Sequence, residues 1–113
     1  IGLADGRNLP VSYDFDFAGA IDATYAGVDP SMKVTRVRDR QFRGYCAHEA
    51  AFPKAFELFT ARRDAIYNLY RDDIGQLISP GKVKSTLGYY DTFYEDIKTP
   101  KDIQRNLFST CVK

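Results

Sequence analysis

Asp14 and Asp16 are separated by a single residue in the run Tyr13-Asp14-Phe15-Asp16-Phe17. Carboxylates at i and i+2 of a β-strand project from the same face, with backbones about 6–7 Å apart. Two such groups can converge on a hard cation such as Mg²⁺, or each can hold one of two ions that bridge a polyphosphate. The same alternation is also the ordinary signature of a half-buried strand whose polar side faces water. Either reading predicts a strand over about Leu9 to Phe17. Val11, Tyr13, Phe15 and Phe17 then face the core, and Ser12, Asp14 and Asp16 face outward. Asp5-Gly6 readily takes positive φ and predicts the tight turn of a hairpin. Pro10, which lacks an amide hydrogen, puts the start of the strand at a sheet edge.

The second cluster is basic. Lys33, Arg36, Arg38, Arg40 and Arg43 fall within eleven residues, interrupted only by Asp39. Guanidinium groups at this density suit phosphates or an acidic substrate. They equally suit internal pairing with Asp14, Asp16, Asp22 and Asp29. Val34, Val37 and Phe42 are expected to hold this extended segment to the body. The chain has two cysteines, Cys46 and Cys111, and one histidine, His48. These are too few for a structural zinc site. A thiol near a helix start beside His48 has a lowered pKa in some enzymes, but nothing else in the chain completes a cysteine or serine catalytic set. The two cysteines either form one disulfide closing a loop of about 65 residues or remain as two buried thiols.

The 113 residues suffice for one domain. Sixteen basic residues against fifteen acidic ones leave a net charge of +1, which argues neither for nucleic acid nor for an acidic partner, and no nucleic acid is expected. No uncharged run approaches the roughly 20 apolar residues of a membrane span. The first residue is Ile1 rather than Met, so a processed chain or a piece of a longer one is expected.

These side chains are positioned by a predicted sequence of an N-terminal hairpin (1–17), an irregular basic segment (18–46) and a helical part (47–113). From about Glu49 to Asp72 the apolar period becomes helical. Phe52, Phe56, Phe59, Ile66 and Tyr70 mark one face, which Ala55, Leu58, Ala65 and Leu69 widen. Pro53 belongs in the first turn. Ser79-Pro80 and Thr99-Pro100 read as capping residues followed by proline at the first helical position. Val83, Leu87, Tyr90, Tyr94 and Ile97 line the second helix, and Ile103, Leu107 and Cys111 the third. Gly88 inside the second helix predicts a close approach by another backbone. The class predicted is α+β, a short β-hairpin packed on three helices.

The run "IGLADGRNLPVSYDFDFAGA" resembles the stretch of protein-kinase-like enzymes in which an Asp-Gly turn leads into a strand ending in a metal-binding aspartate. An aromatic residue followed by Asp-x-Asp and small residues looks like the spore-coat H type of atypical kinases. "VRDRQFRGYC" and a closing helix with a cysteine are similar to the C-terminal part of bacterial proteins associated with export. The resemblance implies that Asp14 and Asp16 hold Mg²⁺, with ATP, in a full-length enzyme. It makes this chain a fragment resembling a kinase C-lobe, inactive alone, with Arg36, Arg38 and Arg40 near the substrate loop. A phosphate-anchoring lysine and a Gly-rich loop belong to such enzymes, and no Gly-rich phosphate loop occurs here. The competing expectation is a non-catalytic helical module. Its partner would be another protein or the remainder of the parent chain.

Overall fold

The computed structural model describes residues 2–12 and 14–113. Three α-helices carry the fold: α1 (Phe52–Asn68), α2 (Pro80–Asp96) and α3 (Pro100–Asn106). A 3-10 stretch, Cys46–Ala51, leads into α1, and a π turn, Leu69–Asp73, leads out of it. A short 3-10 turn, Phe108–Thr110, follows α3. The helix starts are set by local chemistry. Ser79 accepts a hydrogen bond from the Lys82 amide and Thr99 from the Asp102 amide, and a proline follows each cap. Pro53 lies in the first turn of α1, where its missing amide hydrogen costs nothing.

The α+β class is not what forms. Among the described residues there is no β-strand, and the predicted N-terminal hairpin is absent. Among the described residues the β-type pairing is two isolated bridges, Gly2 with Asn8 and Tyr45 with Val112. The Asp5-Gly6 turn does form. Gly6 has φ of 80°, and the Leu3 amide donates to the Arg7 carbonyl at 2.8 Å. Beyond Asn8 no second strand continues the ladder, and alternation alone cannot hold a strand without a partner. Phe15 and Phe17, expected in the core, are 59% and 58% exposed. Tyr13, expected beside them, lies outside the described residues.

The buried core is Phe56, Tyr67, Tyr94, Ile97 and Leu107, flanked by half-buried Phe42, Phe52, Ile66, Leu87, Tyr90, Phe93, Ile103 and Phe108. Its tyrosines satisfy their hydroxyls, as buried polar groups must. Tyr67 donates to Asp91 Oδ1 at 2.6 Å and Tyr94 to the Phe59 carbonyl at 2.9 Å. The inward face of α1 is therefore Phe52, Phe56, Ile66 and Tyr67, continued by Tyr70 in the π turn. Phe59 is exposed except for an edge contact with Phe93, and Leu58, Ala65 and Leu69 face away from the body. The total accessible surface, 8688 Å², exceeds the roughly 6,300 Å² of a compact chain of this mass.

Gly88 has nothing within 4 Å of the place a Cβ would occupy, so no backbone approaches it. An exposed glycine inside a helix costs about 1 kcal/mol relative to alanine. Gly88→Ala is expected to raise the unfolding free energy by about that amount. A urea midpoint that stays put or falls would show that the open space is needed.

Candidate acidic loop and its arginine anchor

The acidic stretch is a chain of turns. The Ala18 amide donates to the Phe15 carbonyl at 2.8 Å, and the Ile21 and Asp22 amides both donate to the Ala18 carbonyl at 3.0 Å. Asp14 and Asp22 take positive φ, 56° and 52°. Short polar side chains tolerate this left-handed region better than others do. Asp14 and Asp16 consequently do not share a strand face. Both are exposed, and the Asp16 carboxylate accepts the Tyr25 hydroxyl at 2.8 Å. That bond favours the protonated phenol and pushes the Tyr25 pKa up.

Behind the carboxylates the chain is fastened. Gly19 is buried, and its missing side chain matters. A Cβ there would come within 2.6 Å of the Tyr89 hydroxyl and 2.9 Å of the Val37 carbonyl. Arg38 Nε donates to the Gly19 carbonyl at 3.0 Å and pairs with the Asp22 carboxylate at 3.3 Å. Arg38 Nη1 reaches the Ser85 carbonyl and hydroxyl on α2. Thr86, only 1% exposed, donates to the Ala20 carbonyl at 3.3 Å. Lys82 Nζ donates to the Asp22 carbonyl at 3.2 Å. One face of α2 thus holds three successive stations of the chain just after the aspartates.

Arg40 fastens the next stretch. It forks onto Asp96 at 2.9 and 3.2 Å and also donates to Thr92 Oγ1 and the Tyr89 carbonyl. The guanidinium groups of Arg38 and Arg40 both lie over the Tyr89 ring, at 5.5 and 5.0 Å from its centroid. Arg36, the most exposed of the three, pairs with Asp39 at 2.7 Å. That guanidinium, with the Arg36 and Thr35 amides, holds the Asp39 carboxyl down to about 2. The basic segment is thus a strap across α2, with Val34, Val37 and Phe42 half-buried beneath it. Of the acids expected to pair with it, Asp22 forms an ion pair with Arg38 among the described residues. Asp39 and Asp96 supply the other carboxylates.

The strap ends at Cys46, which is disulfide-bonded to Cys111 with a Cα–Cα separation of 5.2 Å. Cys111 follows the last 3-10 turn rather than lining α3, and it is half-buried. His48 is exposed, with its ring edge-on to Tyr45 at 6.2 Å. Thr86, Ser85, Lys82 and Tyr89 had no signal in the sequence. They lie 47 to 66 positions from the groups they hold, within a helix that reads as ordinary.

Comparison with known proteins returns no matching family model, no matching curated protein and no matching solved structure. Among the described residues no group of three or more His, Cys, Asp or Glu side chains could hold a metal ion. No helix among them is long and apolar enough to cross a membrane. The donors at Asp14 and Asp16 are two hard carboxylates open to solvent. They fit Mg²⁺ in its usual protein setting, where one or two carboxylates are joined by substrate phosphates and water. They do not amount to an all-protein cage.

Proposed function

We propose that this chain is the C-terminal helical part of a kinase-like phosphotransferase in which Asp14 and Asp16 are the metal ligands. The observation that carries the reading is the fastening of the segment just behind them. Gly19, Ala20 and Asp22 are tied to α2 by Arg38, Thr86 and Lys82, while both carboxylates stay open to solvent. A loop that only joined two elements would have no need of a half-buried arginine and a fully buried threonine at its base. Left-handed φ at Asp14 and Asp22, at either end of this loop, is the kind of backbone strain that gathers at functional sites. The Asp-Gly turn and the aromatic-flanked Asp-x-Asp supply the link to kinase-like enzymes. In such a site Mg²⁺ neutralises the charge that develops on the transferred phosphoryl group. The chain's own part is to present two carboxylates on a loop clamped at its base. The lysine and phosphate-binding loop would come from elsewhere in the enzyme. The large exposed surface supports a chain that is covered by further protein.

The test compares ATP consumption by the longer protein with that of its Asp14→Asn and Asp16→Asn variants. Each substitution is expected to lower turnover by roughly 10²–10³-fold, the range for losing one preorganised electrostatic contact in a transition state. In the isolated chain, millimolar Mg²⁺ should shift backbone resonances only around residues 14–22. Equal turnover in all three proteins, or no nucleotide binding by the parent, would remove the metal reading.

A further inference from the structure

Gly88 sits inside α2 at a place where packing within the chain makes no use of a glycine. No described atom comes within 4 Å of the position its Cβ would take. A glycine nonetheless weakens a helix. One use of glycine in such a position is the close approach of a ligand to the backbone. A groove of about 580 Å³ lies here, between α2 and the π turn that leaves α1. Half-buried Tyr70, Val83 and Leu87 supply its apolar walls, and exposed Gly88 leaves helix backbone bare beside them. The Tyr70 wall is held in place. Its hydroxyl is bonded to the Tyr90 hydroxyl at 3.0 Å, and its ring is edge-on to Tyr90 at 5.5 Å. Gly75 lines the same groove, and a Cβ there would run into the Tyr70 carbonyl. The chain can therefore fold back beside Tyr70 only with glycine at that position. Single π turns in helical segments gather at functional sites.

We propose that this groove binds a small planar aromatic anion, a fused-ring carboxylate in chemical class. The missing side chain selects the shape. A flat ring can rest on the Gly88 backbone where any Cβ would hold it off, with the Tyr70 ring and the Val83 and Leu87 side chains around it. From Lys84 to Asp91 the helix rises about 10 Å, a length that two fused rings cover. The volume falls within the roughly 300–1,000 Å³ of small-molecule sites. The charged groups of the lining select the sign. Arg71 and Lys84 line the groove against one carboxylate, Asp91. Asp91 is already engaged, by the Tyr67 hydroxyl at 2.6 Å and by Arg63 at 3.6 Å. Arg71 is seated over the Tyr67 ring, 5.4 Å from its centroid, and Asp72 beside it in the turn does not line the groove. An anionic head group is thus met by two cations, and a cationic one would add a third positive charge to the same rim. The proposal does not depend on the metal reading.

The test titrates the intact chain with β-naphthoate and follows backbone amide resonances. The neutral isostere β-naphthamide and the cation β-naphthylmethylammonium serve as controls. Saturable shifts from β-naphthoate are expected at residues 70–76 and 80–91 and nowhere else. The amide should bind more weakly and the cation most weakly of the three. Gly88→Ala is expected to weaken β-naphthoate at least about tenfold, because a methyl group then stands where the ring rests. The same variant should be more stable in urea, so the loss of binding cannot be a loss of folding. Arg71→Gln with Lys84→Gln should bring β-naphthoate down to the affinity of β-naphthamide and leave β-naphthamide unchanged. Absence of saturable shifts, shifts centred elsewhere, or equal binding of the anion and the cation would overturn the proposal. So would a Gly88→Ala chain that binds as the wild type does, or one whose urea midpoint falls, which would make the glycine a requirement of the fold.

Discussion

Phe56→Ala is expected to lower the unfolding free energy by roughly 3–5 kcal/mol. Phe56 is 9% exposed and is one of the two buried residues of α1, with Tyr67. Its ring stacks on Phe52 at 6.2 Å between centroids, and it belongs to one buried cluster with Ile97, at the end of α2, and Leu107, just past α3. Truncation would therefore open a cavity where all three helices meet. With so thin a core, neighbouring rings have little to collapse onto. Unfolding followed by circular dichroism in urea should show a lower midpoint with an unchanged slope. A control at the exposed ring, Phe59→Ala, should cost much less. Equal losses at the two positions would mean that α1 packs in another rotation.

Reducing the Cys46–Cys111 bond is expected to cost a similar amount, about 4 kcal/mol for a closed loop of this length. The loop contains all three helices, so opening it restores freedom to nearly the whole folded body of the unfolded chain. The cross-link also holds a seam that is otherwise weak. Beside it the Cys46 amide donates to the Val112 carbonyl at 2.8 Å and the Val112 amide to the Gly44 carbonyl at 2.9 Å. Phe42, Phe52 and Phe108 cover it with ring contacts of 5.0–5.9 Å. A domain of this size is stable by only some 5–15 kcal/mol in total. Reductant should therefore lower the wild-type midpoint to that of a Cys46→Ser, Cys111→Ser double variant, and should leave the variant unaffected. A wild-type midpoint indifferent to reductant would show that the bond adds no stability.

Both expectations rest on the helical part, which was the most legible from sequence. Ser79-Pro80 and Thr99-Pro100 announce helix starts because a cap is made by groups within three residues of one another, as the Lys82 and Asp102 amides confirm. Pro53 and the Phe52–Phe56 step are local in the same way. The rotation of α1 was less legible. Phe59, Leu58 and Leu69 are as apolar as Phe56, and a helix with an apolar arc that wide has more than one side that could be buried. Packing against α2 chose the Phe52–Phe56–Tyr67 side and left the other open.

The run around Asp14 shows the limit most clearly. Its alternation of apolar and acidic residues is real, but a strand exists only when another strand hydrogen-bonds to it, and none among the described residues does. The sequence by itself determined the helix starts, the turn at Asp5-Gly6, two carboxylates one residue apart and a dense row of arginines, because each depends on residue type or on near neighbours. Only the tertiary structure decided that Cys46 meets Cys111. Only it decided that Arg38 and Arg40 turn inward onto Tyr89, Ser85 and Asp96 instead of outward to a ligand, and that Thr86 becomes the most buried polar side chain. Those contacts join positions 47 to 66 residues apart. What selects them is the summed burial and hydrogen bonding of the folded chain, a quantity that no short window of sequence contains.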